Sequence, residues 1–510
     1  MIAPIDHLMI LPVILPAMAA AFLVLALRHH LRRQRMVSIV VTALLVGVAA
    51  WLFAQASDGT VRAYRLGDWP APYGIVLVLD RLSATLLLLT AVLALCVVVY
   101  AAGGVDGRGR HFHPLFQFQL MGINGAFLTG DVFNLFVFFE VMLIASYGLM
   151  LHGGGPARLK AGFQYVAINL LASVVFLVGV GLIYAVTGTL NMADLAVKVP
   201  QVAAADAGLL KAGALLLFLV FATKAALVPL HWWLPATYAG TSAPVAALFM
   251  IMTKVGAYAI VRVYGLVFGD GAGPLAMAAA PLVIPAALLT LVLGTAGLLG
   301  SRTLRDLAAF AVIASMGTLL VAVGLFDADG LSAGLYYLVH STLAGAALFL
   351  LAGLVQEGRG PAGDRLVPAP AMVGETLLGG LFFLCAIALV GLPPLSGFLG
   401  KVMILEAARA SGLWPWIWAL ILAASLLMTF GFARAGSALF WASGPVSGTG
   451  PRLPIVPLGA VLALLALTLA WTLAAGPVAD ALQLTAHQAL DRSVYIGAVL
   501  GPDARLAAGD

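Results

Sequence analysis

Charge is what this chain has least of. Only 9% of its 510 residues are Asp, Glu, Lys or Arg, against 63% hydrophobic. A soluble domain could not hide that much apolar surface, so soluble classes are excluded and a polytopic membrane protein is expected. Cysteine is nearly absent. Cys96 and Cys385 both lie inside apolar runs, which excludes a disulfide framework and a thiolate metal site. The start, "MIAPIDHLMILPVILPAM", lacks a basic n-region and a small-residue cleavage site, and reads as a first membrane helix that is retained. No loop is long enough for a soluble domain. The net charge of +5 is small and sits mainly on alternate loops, a pattern of membrane orientation and not of nucleic-acid binding. Nothing resembles a nucleotide loop, a nucleophile elbow or an acidic metal cluster, so no cofactor, metal or bond-making catalysis is expected.

What is abundant is long apolar runs. A spanning helix needs about 20 apolar residues, a rule that marks about fourteen segments. They lie near 8–27, 36–55, 81–102, 114–130, 132–151, 161–186, 208–228, 242–268, 275–299, 303–325, 331–356, 374–408, 414–440 and 454–475. The loops after segments 1, 3, 5, 9 and 11 read "RHHLRRQR", "GRGRHFH", "PARLK", "SRTLRD" and "QEGRGPAGDR", while those between carry little positive charge. The positive-inside rule then puts the basic loops in the cytoplasm and both termini outside it. "VRAYRLGDWPAPYGIVLVLD" alternates briefly and predicts an extracytoplasmic hairpin. The tail from Gly476 is weakly amphipathic.

A charge near the bilayer centre costs from about 3 to over 10 kcal/mol, so each needs a reason. Glu140, Lys224, Lys254, His340 and Lys401 all fall within apolar segments. Arg262 and Arg434 read as ion-paired or interfacial. An acid and two bases at mid-depth, Glu140, Lys224 and Lys254, exceed what helix docking needs. His340 alone would read as a satisfied core histidine, and its case rests on its company. A lysine suits proton transfer because burial without a partner favours its neutral form, while a neighbouring carboxylate favours the ammonium. Pairing of Glu140 with Lys224 would make that lysine a switchable carrier. Lys254, His340 and Lys401 would then be stepping stones, with water between them.

Two segments are interrupted. In "LVPLHWWLP" (227–235) the breakers are Pro229, the cluster at His231, and Pro235; in "LPPLSGFLG" (392–400) they are Pro393, Pro394 and Gly397. Unbroken, segment 12 would be near 50 Å long, against a hydrocarbon core of about 30 Å. The two strings agree at four of nine positions, and each break lies in the fourth helix of a five-helix block. Five is odd, so the second block would run inverted, as in many transporters. The expected architecture is an all-α membrane protein of about fourteen transmembrane helices, a single domain over 1–510. Helices 1–3 occupy 1–113, one repeat (helices 4–8) 114–268, an inverted repeat (helices 9–13) 275–440, and the last helix with its tail 454–510.

"KAALVPLHWWLP", "SAPVAALFMIMTKVGAY", "FNLFVFFEVMLIASY" and "LVGLPPLSGFLGK" resemble the antiporter-like membrane subunits shared by respiratory complex I, membrane hydrogenases and Mrp-type multisubunit cation/proton antiporters. The likeness covers about residues 75–440. The resemblance implies that Glu140 is the helix-5 glutamate, Lys224 and Lys254 the helix-7 and helix-8 lysines, His340 the helix-11 histidine and Lys401 the terminal helix-12 lysine. It also implies fourteen helices with two inverted repeats. "YRLGDWPAPYGIVLVLDRLSA", "YLVHSTLAGAALFL" and "ALDRSVYIGAVLG" look like the D-type member of the Mrp antiporters. One departure is Ala344, where many relatives carry a lysine. The implied role is proton translocation in a Na⁺/H⁺ antiporter of the cytoplasmic membrane, alongside the A, B, C, E, F and G members of the Mrp assembly and membrane lipid. The alternative is a proton-pumping subunit of complex I or a membrane hydrogenase.

Overall fold

A computed structural model describes residues 6–441 and 453–507. The termini, whose side of the membrane the sequence assigns, lie outside the described residues. The chain is helical almost throughout. A short 3₁₀ turn (Asp6–Ile10) leads into α1 (Leu11–Leu25) and α2 (Leu31–Ala56). β1 (Arg62–Arg65) and β2 (Val76–Leu79) follow, then α3 (Arg81–Ala101). Next come α4 (Phe112–Leu128), α5 (Val132–Met150), α6 (Pro156–Thr187) and the short α7 (Met192–Lys198). α8 (Ala207–Lys224) and α9 (Trp233–Gly240) are separated by a break and precede α10 (Ala243–Leu266). α11 (Ala280–Gly300), α12 (Leu304–Val323) and α13 (Ala328–Gly358) lead to a second broken pair, α14 (Glu375–Val390) and α15 (Ser396–Ala407). α16 (Trp414–Gly436), α17 (Ile455–Leu473), α18 (Ala475–Leu490), α19 (Arg492–Leu500) and α20 (Pro502–Ala507) complete the chain.

Among the described residues, twelve helices are long and apolar enough to cross a membrane. α4, at 17 residues, and α14, at 16, fall short of that length. Side-chain oxygens fix where several helices begin. Asp80 and Ser83 form a capping box at α3, and Asp131, Thr303 and Asp327 accept from backbone N–H groups at the starts of α5, α12 and α13. The expected hairpin is present, with Arg62 opposite Leu79 and Arg65 opposite Val76.

The helices sort by what surrounds them. α1, α2, α6, α16 and α17 turn most of their surface outward, whereas the spanning stretches of α10 and α13 are wholly enclosed by protein. A helix that is apolar all round and fully enclosed forms the centre of a bundle. Lys254 lies on α10 and His340 on α13, so both are removed from lipid as well as from water. Arg262, also on α10, is held by Asp80 at 2.6 Å and flanked by the Tyr258 and Tyr495 rings, and Arg434 donates to the Ser301 carbonyl at 2.9 Å. Both are anchors of packing, as their sequence context indicates.

Candidate functional site

The five titratable side chains sit on helices that pack in succession: α5 on α6, α6 on α8, α8 on α10, α10 on α13, α13 on α15. Lys224, Lys254, His340 and Lys401 are all buried; Glu140 is half-buried.

Glu140 and Lys224 form no direct ion pair, which corrects the expected contact. α6 stands between them. Lys224 Nζ donates to Asn169 Oδ1 at 2.8 Å, the Ser173 hydroxyl is hydrogen-bonded to Glu140 Oε1, and it also reaches the Asn169 carbonyl at 2.9 Å. Asn169 and Ser173 are four residues apart, one above the other on a single helix face. Two α6 side chains therefore stand between base and acid, the Asn169 amide on Lys224 and the Ser173 hydroxyl on Glu140. Sequence reading missed both residues. Their signal was a polar pair at i, i+4 in the apolar segment between the glutamate's helix and the lysine's helix.

Lys224 is the last residue of α8, and the chain then leaves the helix. Ala226 adopts a left-handed φ of 54°, and Leu227 N–H reaches back five residues to the Ala222 carbonyl at 2.9 Å. The Thr223 carbonyl accepts from Ala226 N–H at 3.1 Å and also from the Trp233 indole at 3.0 Å, and Val228 N–H donates to the Thr290 hydroxyl at 2.9 Å. Pro229 and His231 lie inside this break. Pro235 does not: it occupies the first turn of α9, where a missing N–H costs no hydrogen bond. His231 Nδ1 is buried without a partner among the described residues.

The second break repeats the backbone pattern. Gly391 takes the left-handed position at φ 81°, and Leu392 N–H reaches back five residues to the Ile387 carbonyl at 3.0 Å. Pro393 and Pro394 then supply no N–H, which leaves carbonyls at the end of α14 without helical donors. In a bilayer such groups must find protein or water. The Ala388 carbonyl lies 3.0 Å from His340 Nε2, and the Val390 carbonyl accepts from Lys401 Nζ at 2.6 Å. Lys401 also donates to the Ser425 hydroxyl at 2.7 Å.

A carbonyl only accepts, so His340 Nε2 carries a proton and the other ring nitrogen of the neutral imidazole is an acceptor. Nδ1 lies 2.8 Å from Ser396 Oγ, which is also 3.5 Å from the Thr468 carbonyl. If the ring takes a second proton, Nδ1–H can donate to Ser396 Oγ while the hydroxyl hydrogen turns to Thr468. Gly397 makes this approach possible. A Cβ there would collide with the Ala388 carbonyl oxygen and lie 2.7 Å from His340 Nε2. Lys254 differs from the rest. Its Nζ is fully buried and has no hydrogen-bond partner among the described residues. Ala344, one turn from His340, is also fully buried and brings no charge.

A bundle with two interrupted helices and a buried file of titratable groups has the make-up of a membrane transporter, not of a soluble-substrate enzyme. The family model described as "NADH:quinone oxidoreductase/Mrp antiporter, TM" matches residues 129–429, and the chain belongs to that family. It is 42% identical to the D-type subunit of a probable K⁺/H⁺ antiporter from Rhizobium meliloti, covering 95% of this chain and 96% of the relative. It is 36% identical to the D-type subunit of a Na⁺/H⁺ antiporter from Alkalihalophilus pseudofirmus, covering 97% and 99%. Among solved structures, a chain of the Mrp complex from Dietzia sp. is similar with a TM-score of 0.88 at 29% identity, covering 98% of this chain and all of that one.

Proposed function

We propose that this chain is the D-type subunit of a multisubunit monovalent cation/proton antiporter and that protons cross it through Glu140, Lys224, Lys254, His340 and Lys401. The observation that carries this reading is the succession of packed helices α5, α6, α8, α10, α13 and α15, which bears those five groups and, on α6, the Asn169 and Ser173 side chains. The Asn169–Ser173 bridge couples Lys224 to Glu140, and its hydrogen bonds can re-form after a proton moves. Lys254 is the central station. It has no partner among the described residues to hold its proton in place, so its charge state is set by what passes along the file. His340 receives from it and relays through Ser396 or toward Lys401. The two broken helices are proposed as equivalent elements of inverted repeats within a fourteen-helix architecture. The basic loops face the cytoplasm and the termini the opposite side of the cytoplasmic membrane.

Glu140 points to where the other subunits pack. It shares one face of α5 with Phe133, Val137 and Ile144, all of which are exposed. A carboxylate on a lipid-facing stripe is costly, so in the assembled antiporter a neighbouring subunit covers this face. The cation is Na⁺ or K⁺, as named for the two relatives.

Everted vesicles from an antiporter-deficient host expressing the whole complex test the reading. With respiration holding a pH gradient, Na⁺ or K⁺ is added and collapse of the gradient followed. Collapse in wild type that Glu140→Ala and Lys224→Ala abolish at matched expression supports exchange with protons crossing this chain. Collapse that survives both substitutions makes the chain a scaffold. No cation-dependent collapse in wild type favours a redox-driven role.

A further inference from the structure

The loops "RHHLRRQR" and "GRGRHFH" meet over a cavity of about 230 Å³ that no member of the buried file lines, and whose lining includes Arg28, His29, Gln34, Asp106, Arg110 and His111. Asp106 does not give the cavity a negative character. Arg35 binds it in a fork at 2.6 and 2.7 Å, and His113 Nε2 lies 3.0 Å from the same carboxylate. Burial works against its charge, but the hydrogen bonds to His113 and Arg35 outweigh burial and hold its pKa down to about 2. The other four charged or titratable side chains around the rim are basic and exposed. Among the described residues, none of Arg28, His29, Arg110 and His111 spends its side chain on an ion pair or hydrogen bond within the protein. Two unengaged guanidinium forks and two imidazoles therefore converge on one concavity.

What lies beneath the cavity defines the ligand further. On α1, Met18, Phe22 and Leu25 are exposed at i, i+4 and i+7, and this stripe ends at Arg28 and His29. Met36, Val40 and Leu44 form a second exposed apolar line on α2. Such an arrangement, basic at the membrane surface and apolar along the bilayer, matches an amphiphile with an anionic head and acyl chains. A guanidinium fork fits two phosphate oxygens in parallel, which a point charge cannot do. Basic pockets between membrane helices are known to take anionic headgroups.

We propose that this cavity binds the phosphodiester headgroup of an anionic glycerophospholipid, gripped by Arg28 and Arg110, with its acyl chains along the exposed faces of α1 and α2. Because the site is separate from the buried file, its occupancy tunes how the N-terminal helices sit in the leaflet without contributing a proton station.

The test uses the delipidated antiporter complex in detergent. It is titrated with phosphatidylglycerol, phosphatidylcholine or inorganic phosphate, and lipid retained per complex is read by native mass spectrometry. Wild type should retain phosphatidylglycerol in preference to phosphatidylcholine, and Arg28→Gln with Arg110→Gln should weaken that retention by about thirtyfold, as loss of two surface arginines implies. Arg28→Lys with Arg110→Lys, which keeps charge but not the fork, should fall between. A melting temperature of the glutamine variant equal to wild type in phosphatidylcholine separates loss of binding from loss of fold. Superimposable phosphatidylglycerol titrations for wild type and the glutamine variant would overturn the proposal. So would arginine-dependent binding of inorganic phosphate with none of the lipid, which would assign the cavity to a free anion.

Discussion

The two broken helices end alike and use their breaks differently. At both, a left-handed residue is followed by a leucine N–H that reaches back five residues, Leu227 to Ala222 and Leu392 to Ile387. At the first break the loosened backbone is tied off by groups that do not titrate, the Trp233 indole and the Thr290 hydroxyl. Its base, Lys224, turns to side chains on α6. At the second break the carbonyls are taken by the titratable groups themselves, His340 and Lys401. A base held by side chains can change partner by rotamer moves within a fixed backbone. A base held by carbonyls at a helix end is coupled to the position of that end. On the proposed path, the first half would hold its proton in a side-chain network, and the second in the geometry of the break.

That contrast can be broken at defined places. The largest effect is expected from Gly397→Ala, whose methyl group would push the start of α15 away from the Ala388 carbonyl and His340. Cation/proton exchange should fall about a hundredfold, the cost of displacing a working geometry by about an ångström. Next is Asn169→Leu, which removes the side-chain hydrogen-bond partner of Lys224. Losing a hydrogen bond to a charged group, about 1.5–3 kcal/mol, should slow exchange at least about tenfold. If exchange by this variant matches wild type, Lys224 is not served by α6. Ser396→Ala should cost about tenfold and be partly restored by Ser396→Thr, because the hydroxyl and not the packing is what His340 uses. The smallest effect sharpens the comparison from the other side. Ala226→Gly places at the first break the residue that the second already has. It should raise the melting temperature of the purified complex slightly, worth about 1 kcal/mol, and leave exchange unchanged.

Much of this was legible in the residues. Hydropathy marks the segments, Pro229 and the Pro393–Pro394 pair mark the two interruptions, and the rarity of charge makes Glu140, Lys224, Lys254, His340 and Lys401 stand out. Backbone acceptors are harder to foresee, since every residue carries a carbonyl. Even so, Pro394 withdraws the donor that Val390 would have used, so one of the two freed carbonyls can be named from the residues alone. The expected Glu140–Lys224 pair failed because opposite charges in one segment order say nothing of the helix packed between them. Asn169 and Ser173 do not stand out because isolated polar residues are common in membrane helices. Residue type alone assigns Pro235 to the break, yet proline is also at home in a first helical turn. The outward-facing position of Glu140 depends on which face of α5 packs inward, and α5 is apolar on nearly every side.

The central claim is that a buried, unpartnered lysine is kept for proton transfer at the expense of stability. Lys254 tests it most directly, through Lys254→Met measured for both thermal unfolding of the purified complex and cation-dependent collapse of a pH gradient in everted vesicles. Methionine matches the stem of lysine and removes a buried polar group that no partner among the described residues satisfies, a change expected to be neutral or stabilising. The account predicts a melting temperature equal to or above wild type together with loss of exchange. A lowered melting temperature with exchange intact would make Lys254 a structural residue and contradict the account.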